Sequence, residues 1–141
     1  MPSQPGKHLY EYAVVRYVPQ VEREEFVNVG LLMMCKRTGW LRVGIHCDPT
    51  RICALAPGTD VAALRGHLES FERHAAGGHG PIASLEPHER FRWLTAVRSA
   101  CIQTSRPHPG ITNDLDATFS RLWGELVANP SMNIKASPCE Q

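Results

Sequence analysis

Residues 26–46, FVNVGLLMMCKRTGWLRVGIH, hold two apolar runs parted by Lys36-Arg37-Thr38-Gly39. A Gly closing so short a connection suits a type I turn followed by a left-handed residue, the common three-residue hairpin. With Gly39 in that role Lys36 faces Trp40, Met33 meets Val43, Leu31 meets Ile45 and Val29 meets Cys47. These odd-numbered positions form one continuous apolar face, which a sheet must bury. On the other face Met34 meets Arg42, Leu32 meets Gly44, Gly30 meets His46 and Asn28 meets Asp48. Two readings of that second face stand. It is a shallow polar hollow at the two glycines, or an ordinary sheet face, either simply solvated or with Gly30 and Gly44 making room for the rings of Tyr10, Tyr12 or Trp40.

Upstream, residues 8–18 read as a strand rich in aromatic and β-branched residues. Tyr10, Tyr12, Val14 and Arg16 share one side, Glu11, Ala13, Val15 and Tyr17 the other, and Pro19 ends it. Downstream, Asp48-Pro49 opens a short helix over 49–56, stopped before Pro57-Gly58. Thr59 or Asp60 caps a longer helix in which Val61, Leu64, Leu68, Phe71 and Ala75 recur at the helical period. Gly77-Gly78 ends it, and its apolar side belongs on the sheet, with Phe71 as a core anchor. A helix follows over 87–96, then a fourth short strand over 100–104. Two prolines and a Gly keep 106–110 from being helical. A last helix starts at Asn113 or Asp114 and carries a broad apolar stripe from Leu115 to Val127. The expected fold is α+β: an antiparallel sheet of three to four strands with helices packed on one face. It spans one domain over residues 1–128, with 129–141 as a flexible tail.

The 141 residues carry a formal net charge of +1, which speaks against a broad attraction to nucleic acid or to an acidic membrane. No apolar run is long enough to span a bilayer, and the first seven residues lack a secretory core. Five cysteines form no C-x-x-C pair, so reduced thiols in the cytoplasm are expected. His67, His74 and His79 lack a thiol or carboxylate at ligand spacing, and neither a metal nor a cofactor is expected. Signatures of the common hydrolase, metalloprotease and phosphate-loop classes are absent from the sequence.

Residues 12–19, YAVVRYVP, followed by 23–30, REEFVNVG, resemble the opening of an uncharacterised bacterial family, domain of unknown function 3037. Arg16, Pro19, Glu25-Phe26, Asn28 and Gly30 sit at that family's spacing, and the resemblance continues to about Val127. Arg98-Ser99, Gln103 and His108-Pro109-Gly110 also resemble the family pattern, whereas Val97 stands where Pro is expected. The resemblance implies no known activity. It does imply a protein partner, a HipA-like kinase.

Residues 90–113 hold Arg90, Arg92, Arg98 and Arg106 and no acid. Arg presents a rigid fork of donors that matches phosphate or carboxylate. One reading pairs Arg98 and Arg106 with Glu22, Glu24, Glu25 or helix C-termini on a solvated surface. The other gathers Arg16, Arg23, Glu25, Asn28 and His46 with Arg98, Ser99, Gln103 and His108 into one binding site over the polar sheet face. There Glu25 would orient an Arg, Asn28 would hold a loop carbonyl and Arg98 would grip an anion. The function expected is a non-catalytic interaction module that binds another bacterial protein. The alternative is an enzyme or ligand-binder for a phosphate-bearing substrate, a nucleotide or nucleic acid. In it His108 or His46 would carry the proton, Glu25 would be its orienting partner or the base, and Arg16 and Arg98 would stabilise charge.

Overall fold

The computed structural model describes residues 6–96 and 101–128. The chain runs through strand β1 (His8–Tyr17), a 3-10 turn (Val21–Arg23), β2 (Val27–Cys35) and β3 (Trp40–Ile45). Helices α1 (Pro49–Leu55), α2 (Val61–Ala76) and α3 (Pro87–Ala96) follow, then β4 (Ile102–Thr104), β5 (His108–Thr112) and α4 (Leu115–Leu126). One antiparallel sheet orders the strands β3-β2-β1, with β4 and β5 both on the free side of β1. The α+β class stands, with a fifth strand in the segment whose prolines and Gly rule out a helix.

Local chemistry sets the helix ends. Asp48, Asp60 and Asp114 accept the backbone N–H groups of Thr50, Ala63 and Ala117 at 3.0–3.1 Å. Each satisfies a donor that the first turn of a helix leaves without an intrahelical partner.

The sheet is covered on both faces, not on one. Ala13, Val15, Leu32, Met34, Val43 and Ile45 pack beneath Ile52, Leu64, Leu68, Phe91 and Leu94 of α1 to α3. Tyr10, Leu31, Met33, Cys35 and Trp40 pack beneath Leu115, Phe119, Leu122 and Trp123 of α4. Seven of the nine β2 residues are buried, which fits a central strand that is apolar on both sides. Phe71 is only half-buried, and the anchors of α2 are Leu64 and Leu68.

The hairpin differs from its expected register by one residue. Gly39 does take the left-handed conformation (φ 71°), but Cys35 rather than Lys36 faces Trp40, so the loop has four residues. Leu32 therefore meets Val43, Leu31 meets Gly44 and Gly30 meets Ile45. A one-residue slip sends every β3 side chain to the opposite face relative to β2. Val43 and Ile45 consequently join Leu32 and Met34, and Leu31 and Met33 turn to α4. A bulge then shifts β2 against β1, because Val15 pairs with Gly30 while Arg16 pairs with Asn28. The slip and the bulge offset each other at that end, and Asn28 and His46 both reach α4.

β4 and β5 are two halves of one edge strand, broken at Ser105-Arg106-Pro107. The Ser105 hydroxyl accepts the Val14 N–H at 2.9 Å and so replaces the carbonyl that an unbroken ladder would supply. The kink brings Arg106 to the surface beside the end of β1.

Candidate binding cleft

Three of the candidate residues stand in a row across the sheet, and a fourth, His46, stands one position off it opposite Val29. Arg16 is directly opposite Asn28 on β2 and Gln103 on β4. His46 follows β3, where its backbone N–H meets the Val29 carbonyl at 2.7 Å. Adjacent strands lie about 4.8 Å apart, so the row is continuous.

α4 roofs one half of this row. Asn28 donates through Nδ2 to the Leu126 carbonyl at 2.9 Å, while its buried Oδ1 has no partner. His46 meets the edge of Trp123 with ring centroids 6.3 Å apart. Arg51 grips the neighbouring Val127 carbonyl at 2.6 Å. The face read as an open polar hollow is therefore the seat of a helix end. Gly44 makes room there for Trp123, rather than for Tyr10, Tyr12 or Trp40.

The other half is open. Arg16, Gln103 and Thr104 join Val21, Glu24, Phe26 and Arg106 around a cleft of about 710 Å³. The Arg16 guanidinium carbon lies 4.0 Å from the centre of the Phe26 ring, a cation–π contact that fixes its plane. Its Nε is buried and has no acceptor, and desolvation pulls the Arg16 pKa below its ordinary value. Arg23, Arg42, Arg51, Arg90, Arg92 and Arg121, by contrast, each donate to a carboxylate or carbonyl. Burying a donor on a charged group without an acceptor costs about 1–3 kcal/mol or more. Glu24, on the rim, is the one non-glycine with a positive φ (55°) among the described residues. Such a conformation is uncommon outside glycine.

The remaining candidates stand elsewhere. Arg23 and Glu25 pair with each other at 2.9 Å and line a separate cleft with Tyr17, Pro19 and Thr59. The Arg23 guanidinium holds the Glu25 carboxyl below its usual pKa. His108 is opposite Tyr12 and stacks on its ring, centroids 5.1 Å apart. Four residues of strand, about 13 Å, separate it from the Arg16 position. Arg98 and Ser99, with the start of the expected fourth strand and the 129–141 tail, lie outside the described residues.

Within the Arg-rich segment Arg90 ties α2 to α3 through the Ala75 and Leu85 carbonyls at 3.0 and 2.6 Å. Arg92 forms a two-bond clamp on Glu11, both at 2.6 Å. Arg106, Phe26 and Glu24 complete the cleft without having stood among the candidates. A Phe at the end of the charged run 22–25 was the sequence signal for it, and the structure leaves Phe26 43% exposed.

Among the described residues no three His, Cys, Asp or Glu side chains are grouped to hold a metal ion. Cys35, Cys47, Cys53 and Cys101 are free thiols, and burial pushes the Cys47 and Cys101 thiols up. No helix among the described residues is long and apolar enough to cross a membrane.

The family described as Protein of unknown function (DUF3037) matches residues 12–127 of the chain. Neither a curated protein nor a solved structure matches it.

Proposed function

The chain belongs to the DUF3037 family, and on that premise we propose that it is a non-catalytic interaction module that takes hold of a partner protein at the Arg16 cleft. The Arg16 guanidinium carries this proposal: it lines the open cleft beside Arg106, and a carboxylate from a partner on its outer N–H groups would offset its desolvation. Exposed Phe26 and Val21 beside it add apolar contact, and an arginine flanked by aromatic surface is typical of energetic centres in interfaces. The HipA-like kinase implied by the family resemblance is the first partner to test, in the bacterial cytoplasm, where the free thiols would stay reduced.

A second reading places a phosphate-bearing ligand, a nucleotide or nucleic acid, in the same cleft, because Arg16 and Arg106 both line it. Glu24 in that cleft works against a phosphate dianion and favours a single carboxylate. An acid–base mechanism has weaker support, since Glu25, His108 and Arg16 occupy three separate places.

The test is to tag the chain in its native host and compare wild type with Arg106→Glu, a change at an exposed side chain outside the core. A stoichiometric partner held by wild type and lost by the variant supports the module. A wild-type chain that emerges alone overturns it, and a thermal shift with inorganic phosphate or nucleotides would favour the second reading.

A further inference from the structure

Gln103 and Thr104 line two clefts at once. On one side of β4 is the cleft of Arg16, Phe26 and Arg106. On the other is a pocket of about 350 Å³ whose walls include Phe71, Trp93, Leu94 and Ile102, with His67 and His74 at its polar margin. The two differ in chemistry because successive residues of a strand point to opposite faces. Gln103 stands opposite Arg16, whereas Ile102 and Thr104 stand opposite Tyr17 and Val15, which face the α2–α3 layer. Trp93 is 41% exposed, an unusual place for so large an apolar surface.

We infer that these clefts are two subsites of one groove, and that the groove takes an extended peptide in which an acidic residue is followed by an aromatic or large aliphatic one. The inference rests on the cleft reading above and adds the second subsite and the order of the side chains. An extended peptide advances about 3.3 Å per residue and turns consecutive side chains to opposite sides. Laid along the β4 edge, it sends one side chain to the arginines and the next to Trp93, Phe71 and Leu94. The charges select the first residue: two arginines and one glutamate leave the first subsite net positive. The second subsite selects by apolar contact, and its aromatic walls favour a ring or a branched aliphatic side chain. Pockets for alternating side chains beside a sheet edge are a recurring way to read extended segments.

The experiment uses the whole chain and fluorescent octapeptides with central Asp-Phe, Asp-Ser and Asn-Phe pairs, read by anisotropy. Asp-Phe should bind at least about tenfold more tightly than either of the others, a difference of about 1.4 kcal/mol. Trp93→Ala should bind Asp-Phe no better than Asp-Ser while still preferring Asp to Asn. Arg106→Glu should lose the preference for Asp and keep the contribution of Phe. Circular dichroism melts establish that both variants fold. If Asp-dependent binding is indifferent to the Phe and to Trp93→Ala, the two-subsite groove is wrong and the single Arg16 cleft survives. If no peptide shows Asp-dependent binding, the cleft reading falls as well.

Discussion

The ring of Trp123 occupies the space where a side chain at Gly44 would stand: an added Cβ would lie 2.6 Å from ring atom Cζ3. This contact seats α4 on the second face of the sheet and makes that face a core rather than a wet surface. Gly44→Ala should therefore destabilise the fold by about 1–3 kcal/mol, the usual cost of overpacking. Urea unfolding measures it, and a midpoint equal to that of wild type would mean that α4 is not docked on this strand.

Asn28 and Arg51 hold neighbouring carbonyls, Leu126 and Val127, where α4 ends. Asn28→Ala and Arg51→Ala should each cost on the order of 1 kcal/mol. The double variant should differ from their sum by about 0.5 kcal/mol or more, because both grips act on one helix end. Strict additivity in the double-mutant cycle would show that the two hold α4 independently.

Ser105 is nearly buried, and its hydroxyl is the acceptor for the Val14 N–H. Ser105→Ala leaves that buried donor without a partner, at a cost of about 1–3 kcal/mol. Hydrogen exchange at the Val14 amide should accelerate in the variant more than exchange at the Leu32 amide in the strand beside it. Unchanged protection at Val14 would refute the role given to the hydroxyl.

Glu11 and Arg92 join the sheet to α3 through two bonds of 2.6 Å. The hydrogen bond from Arg92 is the main cause that holds the Glu11 carboxyl below its ordinary pKa, against an opposing push from burial. Folded Glu11 thus binds fewer protons than unfolded Glu11 near pH 4, so the pair's contribution is full above the unfolded value of about 4.3. It is lost as pH falls through the lower folded value. Glu11→Gln should cost about 0.5–1 kcal/mol at pH 7, in the upper range for a half-exposed pair with two-bond geometry. Wild type and variant should converge in stability once the pH has fallen below the lowered folded value. A gap that persists there would remove the ion pair as its cause.

Much of this architecture is legible without coordinates. The Asp48 cap, the α2 and α3 helices and the left-handed Gly39 follow from local chemistry, whereas the structure chose Asp60 over Thr59 and Asp114 over Asn113. The candidate site was legible in part, since Arg16, Asn28 and Gln103 do stand side by side. Glu25 and His108 do not join them, because neighbours along a chain are carried to different edges by a turn or a strand of only a few residues.

The sequence by itself determined the first three strands, the four helices and which family owns the chain, but not β5, because two prolines and a Gly exclude a helix without specifying a strand. Tertiary structure alone decided the hairpin register and what lies on each side of the sheet. A strand repeats every two residues, so a slip of one position at the Lys36–Gly39 loop exchanges its faces at almost no local cost. Only the helices that arrive later in the chain, α2 and α3 on one side and α4 on the other, tell the two registers apart by what each would bury.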